Sequence, residues 1–491
     1  SATRMSSTNL PVAARVAILA LAVAACRPPQ AGPPNIVIIY TDDQGYADVG
    51  VYGAQGFATP NIDRLAAEGM RFTRFYAAES GCSPSRAALL TGRYPLRAGI
   101  PNVLGPRSLV GLADEEVTLA ELLKAEGYAT AMVGKWHLGA HPDFLPARHG
   151  FDRYFGLPYS NDMSPDPRNN PRPHARNHPP LPLIRDTTII EREPDQSQLT
   201  RRYTEEAIAF IEANRDRPFF LYLAHTMAHV PLYVSDAFRG SSQQGMYGDV
   251  IQEIDGSVGA ILATLARLEL EERTLVFFSS DNGPWLVYGD HAGSARPFRE
   301  GKATAFEGGH LVPGIFWWPG RIPAGGVSDE VVTAMDVFPT VASLLGIELP
   351  ADLVIDGHDI WPLLAAEPGA ASPYDAFFYY RGGALHAVRS GRWKLHVPHD
   401  YPTLKGGEVG MGGVLGRYAT ARIETSLFDL ENDPGEMTDV AAEHPDVVER
   451  LLGLIEAARS QIGDRATDRT GSQAREPARI VELWPRLFEP R

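Results

Sequence analysis

Two stretches of this chain are apolar without interruption and end in acidic side chains, and they restrict the fold more than any other feature. Asn35-Ile36-Val37-Ile38-Ile39-Tyr40 runs into Thr41-Asp42-Asp43, and Thr274-Leu275-Val276-Phe277-Phe278-Ser279 runs toward Asp281-Asn282-Gly283. A strand with one face in water alternates polar and apolar residues. An unbroken run reads instead as a strand covered on both faces, which is the situation inside a parallel sheet. A third run at 130–133 ends in Gly134-Lys135-Trp136-His137, and a fourth at 219–223 leads into a loop with His225 and His229.

Helical patterns separate these runs. Thr118-Leu119-Ala120-Glu121 is a capping box opening a helix that stops at Gly127. A helix is expected around 204–213. Another, from 250 to 268, places Val250, Ile254, Val258, Ile261 and Leu265 on one face. Alternating strands and helices imply an α/β domain with a large, mainly parallel sheet flanked by helices. Its polar residues gather just beyond the carboxyl ends of strands, where open α/β sheets carry their sites. Residues 161–198, rich in Pro, Arg and Asn, read as a long loop over the site. From Ser372 onward, short strand-like runs (377–380, 393–397, 427–430) and a helix near 447–458 read as a smaller α+β subdomain. The expected division is 34–371 and 372–491.

The 491 residues are 44% hydrophobic and 21% charged, enough for a sizeable core. Lys plus Arg number 45 against 60 Asp plus Glu, a formal charge of −15. Such a chain is a poor non-specific nucleic-acid binder, so no nucleic-acid partner is expected. An anionic substrate would require positive charge concentrated in the pocket. Two cysteines, Cys26 and Cys82, allow at most one disulfide, and each has a context of its own. The apolar run 16–25 follows Arg15 and is too short to span a bilayer comfortably. Val23-Ala24-Ala25-Cys26 resembles a bacterial lipobox, in which the cysteine is lipidated. Residues 1–26 then read as a lipoprotein signal peptide and 27–33 as a tether. The mature chain would be exported to the bacterial periplasm or outer membrane and held to a membrane at Cys26.

Asp42-Asp43 and Asp281-Asn282, brought together at one sheet edge, would offer oxygen ligands for Ca²⁺ or Mg²⁺. Cys82-Ser83-Pro84-Ser85-Arg86 opens a short helix that Gly92 ends. A cysteine at a helix N-terminus, with Arg86 one turn on, reads as an activated thiolate, an anion site or a small buried cysteine.

Cys-x-Pro-Ser-Arg followed by a short apolar helix and Thr-Gly resembles the signature of the sulfatase family. The second signature of that family is matched by the segment from Gly127 to His137. Further matches lie at Pro158 to Asp162, Ala228 to Pro231, Gly301 to Gly309 and Leu427 to Pro434. The pattern is most like the branch of arylsulfatase A and N-acetylgalactosamine-6-sulfatase. It departs at Leu311, where that family usually carries Arg.

The resemblance implies an alkaline-phosphatase-like fold and hydrolysis of aryl or carbohydrate sulfate monoesters. It implies that a formylglycine-generating enzyme oxidises Cys82 to Cα-formylglycine, whose hydrate is the nucleophile. It implies a cation, Ca²⁺ or Mg²⁺, on Asp42, Asp43, Asp281, Asn282 and the modified Cys82. Lys135, Lys302, Ser160 and His229 would bind the substrate, the lysines and Ser160 at its sulfate. His229 with Lys302 would protonate the leaving alcohol, His137 would assist release of sulfate, and Arg86 would orient the formylglycine. His225, His291 and His310 receive no role. The related alternative is a phosphonate monoester hydrolase or phosphodiesterase, and the non-enzymatic one a sulfoglycan-binding protein with an unmodified cysteine.

Overall fold

The structure is a computed structural model that describes residues 32–167, 176–350 and 352–489. The lipobox and Cys26 lie outside the described residues. Among those described, no helix is long and apolar enough to cross a membrane.

Ten strands form one sheet: β1 (Asn35–Thr41), β2 (Met70–Phe72), β3 (Ala129–Lys135), β4 (Arg153–Leu157), β5 (Pro182–Arg185), β6 (Thr188–Arg192), β7 (Phe219–Ala224), β8 (Thr274–Ser280), β9 (Gly314–Trp317) and β10 (Gly326–Ser328). Their order is β10-β2-β9-β8-β1-β7-β3-β4-β5-β6. The central five, β8-β1-β7-β3-β4, are all parallel. Every residue of β1, β3, β7 and β8 is buried, as expected for strands covered on both faces.

The register aligns their carboxyl ends. Tyr40 pairs with Ser279 on one side and Ala224 on the other, Ala224 with Gly134, and Lys135 with Leu157. Gly134 makes the last step possible. Its φ is +109°, and a Cβ there would lie 1.8 Å from the Ala224 carbonyl oxygen. Only glycine lets the two backbones approach so closely while the chain adopts that conformation.

The helices fall where the periodicity puts them, with extended ends: α1 (Cys82–Thr91), α2 (Leu119–Ala125), α3 (Leu199–Ala213) and α4 (Met246–Arg267). The Thr118–Glu121 capping box forms with both of its hydrogen bonds. The segment 161–198 departs from its reading as a loop. It contains the β5–β6 hairpin, which extends the sheet antiparallel to β4. β6 is half exposed and its apolar residues are only Ile189 and Ile190, too short a run to mark a strand; it pairs antiparallel with β5.

Beyond residue 372, β11 (Phe377–Arg381), β12 (Ala384–Ser390), β13 (Trp393–His396) and β16 (Ser426–Asp429) form an antiparallel sheet. A long hairpin, β14 (His399–Glu408) and β15 (Arg417–Ile423), projects from it, and α5 (Pro445–Gln461) follows.

Candidate active site

Cys82 is the first residue of α1. Gly81 precedes it in extended conformation, and Gly92 ends the helix at φ +68° with its N–H on the Ala88 carbonyl. All ten residues of α1 are buried, so the helix is a core element that presents its N-terminus to the sheet edge. There the loops after β1, β3, β7 and β8 converge on it.

Asp42 Oδ1 lies 3.4 Å from Cys82 Sγ, and Asp42 Oδ2 accepts from Lys135 Nζ at 2.5 Å. Lys302 Nζ donates to both oxygens of Asp43, at 2.6 and 2.8 Å, and lies 3.3 Å from Cys82 Sγ. Asn282 donates its amide to Asp43 Oδ1 at 2.7 Å. Arg86 turns to Asp281, with Nε and Nη2 at 3.0 and 2.7 Å from Oδ2, and donates Nη1 to the Lys135 carbonyl at 2.9 Å. It thereby fixes Asp281 and the end of β3.

Two histidines complete the group. His229 Nδ1 donates to the Val230 carbonyl at 2.6 Å, which leaves Nε2 3.6 Å from Asp43 Oδ2. Ser160 Oγ lies 3.4 Å from His229 Nδ1 and 3.4 Å from Lys135 Nζ. His137 Nε2 donates to the Leu104 carbonyl at 2.8 Å, while its buried Nδ1 has no partner. Asp43 and His137 both have left-handed backbones, φ +59° and +64°. For non-glycine residues this conformation is costly and is found disproportionately at functional sites.

Ligand atoms of Asp42, Asp43, Cys82 and His229 all lie within 4.8 Å of one another, so four residues could share one ion. His229 was expected as an acid, and the structure brings it into this group as well. Asn282 Oδ1 is buried without a partner beside three carboxylates. An acceptor left open among acids fits a hard cation. Asp42, Asp43 and Asp281 are balanced by Lys135, Lys302 and Arg86, so a bound divalent ion would leave the buried centre net positive. That is the local concentration of positive charge an acidic protein needs to take an anion.

The electrostatics remove one sequence-level reading. Burial pushes the Cys82 thiol well up; the charges of Lys135 and Lys302 relieve only part of this, and Asp281 and Asp42 add to the rise. The cysteine is thus a protonated thiol and not an activated thiolate. Burial also acts on Asp42, but Lys135, His229 and Arg86 outweigh it and hold this carboxyl low. Burial and the charges of Lys135 and Arg86 keep His137 well below the usual imidazole range, hence neutral.

The three unassigned histidines stand outside the cluster. His225 is fully buried, and burial lowers it to about 4. His310 donates Nδ1 to the Ala77 carbonyl, and His291 is half-buried next to Gly413. Leu311 is buried in the main core. The sequence reading passes over Trp285, since nothing marks a lone tryptophan after Gly283-Pro284. Its half-buried ring lies 5.5 Å from that of His229, with Lys302 Nζ 4.7 Å from its centroid. A cavity of about 700 Å³ lies on the 286–300 loop, lined by Asp48, Phe57, Tyr247 and Glu300 among others, and none of the clustered residues lines it.

A mainly parallel ten-stranded sheet carries a buried cysteine and an acidic, cation-competent cluster at its carboxyl edge, the architecture of an α/β enzyme. The sulfatase family matches residues 34–347, and the C-terminal region of aryl-sulfatase matches residues 372–479. N-acetylgalactosamine-6-sulfatase of Canis lupus familiaris is 41% identical over 456 residues, covering 86% of this chain and 85% of that protein. Arylsulfatase A of Homo sapiens is 40% identical over 448 residues, covering 86% and 87%. The crystal structure of PsFucS1 sulfatase from Pseudoalteromonas sp. superposes with a TM-score of 0.77 at 29% identity, covering 87% of this chain and 90% of that one. The chain belongs to the sulfatase family and is a sulfuric ester hydrolase.

Proposed function

We propose that this enzyme hydrolyses sulfate monoesters of carbohydrate or aryl alcohols by way of Cα-formylglycine made from Cys82 by a formylglycine-generating enzyme. The observation that carries this is the position of Cys82: first residue of a buried helix, protonated, 3.3 Å from Lys302 and 3.4 Å from Asp42. A thiol held protonated is a poor nucleophile as it stands. Oxidised to the aldehyde and hydrated, residue 82 supplies a hydroxyl nucleophile. Asp42, Asp43, Asp281, Asn282 and the modified residue 82 would hold a hard divalent cation, Ca²⁺ in preference to Mg²⁺, which supplies Lewis-acid polarisation of the sulfate.

The remaining roles belong to side chains of the cluster. Lys135, Ser160 and Lys302 bind sulfate oxygens and offset their charge. As the imidazolium, His229 keeps Nδ1–H on Val230 and gives its Nε2 proton to the leaving oxygen, with Lys302 beside it. His137, neutral and with Nδ1 free, accepts a proton in the step that returns residue 82 to its starting form. Arg86 acts by positioning Asp281 and the end of β3. In this reading residues 34–371 are the catalytic unit and 372–491 the C-terminal one. The chain is exported and anchored to a membrane through Cys26, on the strength of the Val23-Ala24-Ala25-Cys26 pattern.

The test is a peptide mass at position 82 together with sulfate release from a panel of sulfated sugars and aryl sulfates. Enzyme carrying formylglycine should turn over, the Cys82→Ala variant should fold and be inactive, and chelation should suppress activity that Ca²⁺ restores. Full activity in enzyme with an unmodified cysteine would overturn the nucleophile, and faster cleavage of phosphonate esters than of every sulfate ester would overturn the substrate.

A further inference from the structure

The Trp285 side chain has no role in the chemistry above, yet it stands where the alcohol half of a substrate must go. If the sulfate is held by Lys135, Ser160 and Lys302 and the proton comes from His229 Nε2, the leaving group departs past His229 and Lys302. Trp285 flanks both: its ring centroid is 5.5 Å from the imidazole and 4.7 Å from the ammonium. The ring is half-buried, so part of a large apolar surface stays open at the mouth of a charged site. A half-buried tryptophan beside buried ionic groups leaves open apolar surface that an apolar partner can cover.

The ring is also firmly backed. Tyr288 meets it edge-on at 5.0 Å. The loop that follows is tied to the C-terminal hairpin, whose Gly410 and Gly416 N–H groups both donate to the Val287 carbonyl, at 2.9 and 3.2 Å. Leu404 of β14 and Tyr418 of β15 pack into the same apolar cluster as Trp285. The wall is therefore built from both halves of the chain.

We propose that Trp285 is the surface on which the C–H face of a sugar ring packs while its sulfate ester lies at residue 82. Trp285 is thus a specificity residue for carbohydrate sulfates, an inference that rests on the sulfatase reading. A pyranose offers an apolar face of ring hydrogens and a polar rim, which suits an indole set among charged groups.

The experiment uses full-length, formylglycine-bearing enzyme with wild type, Trp285→Ala, Trp285→Leu and Trp285→Phe. It measures KM and kcat on a 6-sulfated hexosamine and the inhibition constant of inorganic sulfate. Trp285→Ala and Trp285→Leu should raise KM about tenfold, equivalent to about 1.4 kcal/mol, and Trp285→Phe should recover most of it. Inhibition by sulfate should change less than twofold, because the free ion touches the lysines and not the indole. If Trp285→Ala fails to fold, Trp285→Leu, which keeps the apolar bulk, carries the comparison. An unchanged KM in the variants would overturn the proposal. So would an equal loss of sulfate inhibition, which would make Trp285 a support for Lys302. A wild type inactive on every sulfate ester would instead sink the sulfatase reading itself.

Discussion

His229 has one nitrogen committed to the backbone and the other turned toward Asp43, and that asymmetry determines what the residue can do. With Nδ1–H on the Val230 carbonyl, Nε2 is the nitrogen presented to Asp43. An acid matters most when the departing alcohol is a poor leaving group. General acid catalysis contributes about 10²–10⁴-fold, so His229→Ala should lose a factor in that range on a sugar sulfate and little on nitrophenyl sulfate. Lys135→Ala should lower both alike, because it holds the sulfate. The ratio of kcat/KM between the two substrates measures this directly; an equal fall for His229→Ala on both would leave the residue a binding group only.

At the scale of elements, β3 and β7 are joined more tightly than any side chain would allow. Gly134→Ala would put a methyl 1.8 Å from the Ala224 carbonyl and force a φ of +109° on alanine. The strands would have to part just before Lys135. We expect a loss of more than about 3 kcal/mol in denaturant unfolding, together with loss of activity; a variant of wild-type stability would show that the strands can separate freely. In the C-terminal sheet and the hairpin beside it, the His386 ring stacks on His399 at 4.0 Å, and His396 lies 5.5 Å from His399. Burial, then the charges of His399 and His396, lower His386 to about 2. The unfolded chain takes up this proton below about pH 6.5 while the folded chain does not. The associated stability is therefore complete above pH 6.5 and falls as pH drops toward 2, by up to about 1.4 kcal/mol per pH unit. His386→Phe keeps the stack and removes the proton site, so its melting temperature should fall less than that of wild type between pH 7 and pH 5. Parallel curves would remove His386 as the source.

Across the whole molecule, the catalytic loops are tied to the C-terminal sheet by a buried ionic group. Lys394 of β13 donates to Glu307, five residues after Lys302, and lies 2.9 Å from Glu436, which in turn accepts from His396. Tyr76 and Tyr379 also donate to Glu307, both at 2.6 Å. Burial raises the cost of charge on Glu307, but Lys394 and Arg389 outweigh it and hold this carboxyl at about 2. Removing one member of a buried ion cluster strands the others at a cost of about 3–5 kcal/mol. Lys394→Met should therefore destabilise the protein by that amount and reduce kcat, although residue 394 is far from Cys82 in the chain. Denaturant unfolding and steady-state kinetics test both parts; undiminished stability would show that Glu307 and Glu436 are carried by their tyrosine and histidine partners.

The sequence by itself determined the doubly covered strands β1, β3, β7 and β8, the capped helix α2, the signature helix opening at Cys82 and the carboxylates at the strand ends. Each is a local property: an unbroken apolar run, a capping box or a Cys-x-Pro-Ser-Arg spacing reports on the residues that carry it. Only the tertiary structure decided what these residues meet. Lys302 reaches Asp43 across 259 positions, and Cys82 reaches Asp42 across 40. Such partners follow from strand order and register, which no local pattern encodes. The β6 strand has no clear local signature because this half-exposed edge strand carries only Ile189-Ile190 as apolar residues. Between an activated thiolate, an anion site and a small buried cysteine the segment around Cys82 could not choose, because burial is a property of the packed core and not of the segment. Trp285 gained its place beside His229 only when the loops after β7 and β8 opened at the same sheet edge.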